Sequence, residues 1–436
     1  MKTKLIILTI ISFVIFNGKT VAQRAWTLEQ CIDTALANNR NMKLQKINRE
    51  TREVAYRQSR HNRLPNFSAS VGQNFNFGRS LAVDNTYQQS NSQNTSFSVS
   101  GGLNLFNGFR VKNTIEARRA ELLAAGADVR KVEKDIVMNV STVFLQVLQN
   151  KELLGNAENQ LNITRENIAR REQLIEAGKL AEGEIFELKA QQAKEELNRV
   201  QALNNLELVL LDLALVMDLE DATGLDVVIP ADLLENELAL LSANDVYESA
   251  IQTRPEIKSA EYLLLSNEKN LDITKAGVLP SLSLGASWGT GYYKMSNLSQ
   301  NSPFTDQFKN NMSTGIGLNL SIPIFNRFET KNQVKNAELA IRSSKLEIEN
   351  VKKEIKKNVQ QAYYNAIAAK NRWEASEKSV TANEESYRFA NQKFEVGRAN
   401  PYEVNLAKNN LTQSISERTQ AKYEYVFRLK ILELLK

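Results

Sequence analysis

Apolar residues recur every seven positions through much of the chain. One seam runs Ile115, Leu122, Val129, Ile136 and Val143; a second runs Val140, Val147, Leu154, Leu161, Ile168 and Ile175. Both return 219 positions later, as Val334, Ile341, Ile348, Ile355 and Ala362, and as Val359, Ala366, Trp373, Val380, Tyr387 and Phe394. A seven-residue repeat held this long predicts helices that supercoil against neighbours rather than wrap a compact core. Gly and Pro are absent from Arg327 to Val396, and Phe109 to Ala177 holds only Gly126 and Gly155. With roughly 70 residues at 1.5 Å each, such a helix would be roughly 100 Å long. The helices alone leave a soluble coiled-coil protein open.

A different pattern precedes each long run. Phe67, Ala69, Val71, Phe75 and Phe77 alternate with polar residues, as do Phe97, Val99, Leu103 and Leu105. Leu282, Leu284, Ala286 and Trp288 alternate with Ser281, Ser283, Gly285 and Ser287, and Thr314, Ile316, Leu318, Leu320 and Ile322 form the fourth series. Period two over about ten residues, almost without charge, predicts transmembrane β-strands with lipid on one face and water on the other. The polar stretches Gly78–Thr95 and Lys294–Asn311 would be the loops, and Phe75, Phe77, Trp288, Tyr292 and Tyr293 an aromatic girdle. A soluble hairpin per copy is the alternative, though its apolar face would stand uncovered. Four strands are too few for a filled barrel, which takes about eight, so closure would require several chains.

The chain is a tandem duplication. Leu64-Pro65 recurs as Leu279-Pro280, a shift of 215, whereas Leu105-Phe106-Asn107 recurs as Ile324-Phe325-Asn326, a shift of 219. The difference falls in the Ser-, Asn- and Gln-rich stretch between them, where a loop tolerates a length change. The first copy is read as 23–217, with a barrel hairpin at 66–105, a long helix at 108–177 and a returning helix at 183–217. The second is 243–436, with its hairpin at 281–322, long helix at 327–396 and returning helix at 401–436. Residues 218–242 form a linker with one short strand expected at Val227-Val228-Ile229. The turns at Gly178 and Gly397 supply residues for which a left-handed conformation carries no penalty, and Pro401 suits the first turn of a helix.

Composition narrows the chemistry. One Cys (Cys31) excludes a disulfide framework, and one His (His61), in the basic run Arg57–Arg63, argues against a zinc site or catalytic triad. No cofactor, metal or catalytic constellation is expected, and the chain reads as a non-enzyme. Lys2, Lys4 and the apolar stretch Leu5–Phe16 read as a secretory leader, residues 1–22, too short to span a bilayer. Setting aside Lys2, Lys4 and Lys19 leaves 52 of the 55 basic residues against 50 acidic ones, too even a balance for nucleic acid.

The opening Trp26-Thr27-Leu28-Glu29-Gln30-Cys31, the two Leu-Pro pairs, the Leu105-Phe106-Asn107-Gly108 and Ile322-Pro323-Ile324-Phe325-Asn326 junctions and the two tip glycines resemble, in this duplicated order, the TolC family of outer-membrane efflux proteins. The resemblance covers residues 23–436. It implies a mainly α fold with transmembrane β: tandem long helical hairpins plus four strands per chain. It further implies a homotrimer with a 12-stranded barrel in outer-membrane lipid and a 12-helix tunnel through the periplasm. Such a duct accepts substrate from an inner-membrane pump through a periplasmic adaptor, in efflux or type I secretion.

The tip residues Gly178, Gly397 and Pro401 are then expected to meet the adaptor. Glu184 and Glu403 each stand six residues after a tip glycine, with Glu187 beyond in the first copy and Leu406 at the matching place in the second. Three copies of such acids around a narrow pore would favour cations; equally, they suit a helix N-terminus through its dipole. Arg398 is a candidate for tying neighbouring tips together. The other class of function open to this pattern is a soluble periplasmic helical-hairpin adaptor.

Overall fold

The computed structural model of the chain describes residues 25–81, 85–179, 181–220, 222–229, 240–296, 301–396 and 398–436. The expected leader, residues 1–22, lies outside the described residues, as do positions 230–239 of the linker.

The first half contains β1 (Ala25–Trp26), α1 (Leu28–Asn38), α2 (Arg40–His61), β2 (Asn66–Asn76), β3 (Arg79–Leu81), β4 (Tyr87–Gln89), β5 (Ser92–Asn107), α3 (Arg110–Glu176) and α4 (Glu184–Val216). The second contains β6 (Asp226–Val227), α5 (Ala243–Thr253), α6 (Pro255–Lys275), β7 (Ser281–Met295), α7 (Phe304–Asn310), β8 (Ser313–Ser321), α8 (Glu329–Glu395) and α9 (Pro401–Leu435). The long helices α3 and α8 are each 67 residues. The chain is mainly helical with a small amount of strand, and no described helix is long and apolar enough to cross a membrane.

One compact unit comprises Met1–Lys46, Val129–Pro255 and Val351–Lys436. Its first helix starts with a reciprocal cap: Thr27 Oγ1 accepts from Gln30 N, and Gln30 Oε1 accepts from Thr27 N. Asn39 then opens α2, its Oδ1 accepting from the backbone N–H of Asn41 and Met42. The core gathers Cys31, Ala35 and Met42 against Val140, Phe144, Val147 and Leu148 of α3 and Leu213 and Met217 at the end of α4. Shifted by 215, Cys31, Ala35 and Met42 become Val246, Ala250 and Ile257, and these are buried too. The lone cysteine therefore occupies a site that its counterpart fills with valine. Burial, seconded by Glu29, pushes its thiol up to about 11. β1 pairs in parallel with β6, which spans Asp226–Val227 and so starts a residue before the expected strand and ends sooner. Ala25 and Trp26 pair with it, and Lys151 holds it to α3 by donating to Asp226 Oδ1 (2.7 Å) and to the Val227 carbonyl (3.1 Å). Every seam residue that falls in this unit is buried or half-buried.

The second unit comprises Ile47–Asp128 and Glu256–Asn350. Its centre is a four-stranded antiparallel sheet in the order β2-β5-β7-β8. The polar stretches read as loops are partly structured: β3 pairs with β4 in one, and the other holds α7. At each strand-to-helix junction two successive residues take the left-handed conformation, Gly108 and Phe109 in the first copy, Arg327 and Phe328 in the second. Each turn is clamped by an edge-to-face aromatic pair three residues apart. Phe106 and Phe109 lie 5.4 Å apart, Phe325 and Phe328 5.5 Å.

The two turns differ in what surrounds them. A Cβ on Gly108 would sit 2.9 Å from Leu279 Cβ and 3.2 Å from Ala276 Cβ, whereas position 327 carries arginine. Gly108→Ala is therefore expected to lower the unfolding free energy by about 1–2 kcal/mol. Arg327→Gly should change it by less than about 1 kcal/mol. Denaturant titration of the two variants checks the asymmetry; equal losses would contradict it.

Candidate functional site

Two regions carry the chemistry, the sheet and the ends of the helical hairpins. In the sheet the register sorts residues by polarity. Ala69 faces Val99 and Val71 faces Phe97, while Ser68 faces Ser100 and Ser70 faces Ser98. The pattern continues outward, with Leu103 opposite Leu284 and Leu284 opposite Leu318, but Ser100 opposite Ser287 and Ser283 opposite Asn319. Hydroxyls bridge the polar face, Ser68 to Ser100 at 3.0 Å and Ser70 to Ser98 at 2.8 Å. Apolar side chains on the other face stand in the open, with Ile316 at 78% and Phe67 at 75% exposure.

Two details depart from simple alternation. β5 carries a bulge between Asn104 and Phe106, so Phe106 rather than Leu105 faces Leu282 on the apolar side. Tyr293 pairs with Asn94 on the polar face, which separates it from Trp288 and Tyr292 and removes it from the expected girdle. Instead α7 lays Phe304 and Phe308 on the apolar face, Phe308 against Phe97 (5.6 Å between ring centroids) and Phe304 against Tyr292 (5.5 Å).

Where β7 outruns β8, side-chain amides take the place of a strand. Asn311 donates to the Gly291 carbonyl, and Gln307 both accepts from Tyr293 N and donates to its carbonyl. Asn301 does the same for Met295. Both backbone groups of Tyr293 and Met295 and the carbonyl of Gly291 are thereby satisfied without another strand.

At the hairpin end between α3 and α4, Gly178 has φ +67°. Its N–H donates to the Ile175 carbonyl and that of Lys179 to Leu174, a Schellman closure of the helix. The same six-to-one bond recurs in the second copy from Arg398 N to the Lys393 carbonyl. Gly397 lies outside the described residues. Glu184 is the first residue of α4 and Pro401 the first of α9; their side chains lie outside the described residues. Asn400, which the sequence reading did not single out, is the N-cap of α9, its Oδ1 accepting from Glu403 N at 2.9 Å. Glu403 is thus an exposed acid in the first turn of a helix, and Arg398 is exposed nearby in sequence. Glu187 is brought to the other copy's returning helix, its Oε1 accepting from Asn405 Nδ2 at 2.8 Å.

Sequence reasoning missed the cluster farther along these helices. Glu195 of α4 is only 3% exposed and Lys408 of α9 7%. Lys408 Nζ lies 2.6 Å from Thr164 Oγ1 and 3.3 Å from Glu195 Oε1, which also accepts from Gln160 and Gln191. The available signal was Lys408 beside Ala407, three residues before Leu411, a charge on an apolar stripe.

The family model for outer membrane efflux proteins matches residues 31–217 and 246–435. The chain belongs to the outer membrane efflux protein family. It is 26% identical over 324 residues to the probable outer membrane lipoprotein SilC of Salmonella typhimurium, covering 72% of this chain and 64% of SilC. It is 25% identical over 393 residues to the probable efflux pump outer membrane protein TtgC of Pseudomonas putida, covering 85% of this chain and 74% of TtgC. The match thus spans less than two thirds of SilC's length. The fold superposes on crystal structures of CusC with a TM-score of 0.78 at 19% identity, covering 94% of this chain and 91% of that one. Family members of this kind reside in the outer membrane, and so does this one.

Proposed function

We propose that the chain is one third of a passive exit duct. Three copies would close their sheets into a 12-stranded barrel through the outer membrane and pack their hairpins into a 12-helix tunnel in the periplasm. The duct would take substrate from an inner-membrane pump through a periplasmic adaptor, the pump supplying the energy. The observation that carries this reading is the sheet itself, apolar on one face, lined with Ser, Asn and Gly on the other, and open at β2 and β8. Such a sheet suits lipid outside and water inside, and closure removes its edges. A soluble adaptor would leave that apolar face without a use.

Gly178, Gly397 and Pro401 would form the surface the adaptor meets, with Arg398 beside them, and the opening of the hairpins there would admit substrate. Glu184, Glu187 and Glu403, repeated three times, would lend the entrance a preference for cations.

Purified from outer membranes in detergent, the protein should have the mass of a trimer and conduct ions across planar lipid films. Monomers that pass no current would overturn the duct. In the same films, Glu403→Gln should move the reversal potential in a salt gradient toward anions; an unchanged potential would remove Glu403 from the entrance.

A further inference from the structure

The two copies share not only their elements but their register. A shift of 215 carries β2 onto β7 and a shift of 219 carries β5 onto β8. Under those shifts Asn66–Gly102 becomes Ser281–Ser321, Ser68–Ser100 becomes Ser283–Asn319, and Ser70–Ser98 becomes Gly285–Gly317, all observed pairs. The third ladder, β5 with β7, joins the second strand of copy one to the first strand of copy two. Its equivalent would join β8 to β2, yet these stand at opposite edges of the sheet. Only another chain can supply that joint.

Building on the trimeric duct, we infer that β8 pairs with β2 of a neighbouring copy in the register obtained by carrying β5–β7 through the same shifts. Ser100–Ser287 then becomes Asn319 opposite the neighbour's Gly72, and Gly102–Gly285 becomes Ser321 opposite its Ser70. Gly101–Ala286 becomes Leu320 opposite Val71, and Phe97–Thr290 becomes Ile316 opposite Phe75. Polar residues meet polar or glycine positions and apolar meet apolar, whereas a slip of one residue would oppose Leu320 to a serine or a glycine.

The same mapping accounts for residues 322–326. Their first-copy counterparts, Leu103–Asn107, are strand and pair with β7, but 322–326 lie outside β8, with Ile324 at 96% exposure. The neighbour's β2 draws this segment into the ladder, with Phe325 reaching the neighbour's Phe67 and a bulge at Ile324 where Leu105 has one. Pro323, which has no N–H to give, then stands beside a bulge, where proline is tolerated in a sheet.

Paired cysteines test the register in a Cys31→Ala background. Directly opposed positions come within disulfide reach, while a two-residue slip moves the Cα atoms beyond about 7 Å. Oxidation of the trimer carrying Ser70→Cys with Ser321→Cys is expected to convert the monomer band to a reducible covalent trimer. Ser70→Cys with Asn319→Cys, and Asn74→Cys with Asn319→Cys, represent slips of two residues in either direction and should leave it unconverted. Conversion of either slipped pair instead would overturn the register while leaving the trimer standing. A trimer that none of the three pairs crosslinks would overturn the β8–β2 joint, and a monomer would overturn the duct itself.

Discussion

Lys408→Ala should destabilise the folded protein by about 3–5 kcal/mol, the cost of leaving one member of a buried ion pair behind. Glu195 would remain in the helix packing with its charge unmatched. Its Oε2 already lacks a hydrogen bond, so the carboxylate depends on Oε1, which accepts from Lys408, Gln160 and Gln191. Lys408→Met combined with Glu195→Leu should recover most of that loss, because removing both charges also removes their desolvation. The pH dependence carries the same information. Burial lowers the Lys408 pKa from its usual value, and Glu195 only partly opposes this. The folded state therefore holds fewer protons than the unfolded one between the lowered pKa and the ordinary lysine value, and this group's share of stability rises with pH across that window. Below that window both states hold the proton, and this share no longer varies with pH. Denaturant unfolding of the single and double variants at neutral and alkaline pH checks both statements. A single variant within about 1 kcal/mol of wild type would show that water reaches the pair.

The periodicities of the chain show why some of this was legible and some was not. Heptad seams and strand alternation are properties of consecutive residues, so the long helices and the sheet could be read directly. The duplication was legible because Leu64-Pro65 recurs 215 positions on and the junction at Phe106 recurs 219 positions on. The bulge at Leu105 was not, since one extra residue in a ladder leaves no mark on the apolar pattern until the partner strand is present. Tyr293 was misassigned for a related reason: adjacency to Tyr292 suggests a shared role, but neighbours in a strand point to opposite faces. The Lys408–Glu195 pair joins residues 213 apart on separate helices, and no local spacing encodes that meeting. At the hairpin ends the Gly178 turn was read from its glycine, whereas the cap at Asn400 was hidden by attention to Pro401.

Arginine placed at Ala286 should be far more damaging than arginine at Ser287. The two positions are consecutive in β7, both small and both exposed, so neither substitution meets a packed neighbour. They differ in face. Ala286 lies between Gly101 and Ile316 on the apolar side, and Ser287 between Ser100 and Gly315 on the polar side. If the apolar face meets lipid, Ala286→Arg costs about 2–4 kcal/mol in the middle of the bilayer. Its level in the outer membrane and its folding yield in lipid vesicles should fall accordingly. Ser287→Arg places its charge in water, so the protein should insert normally and differ from wild type in conductance or ion preference. Equal losses at the two sites would mean that both faces meet the same medium. A loss confined to Ser287 would invert the sheet, putting the hydroxyl-lined face against lipid. Because height along the strand and side-chain size are matched, the difference between the two variants measures the medium on each face.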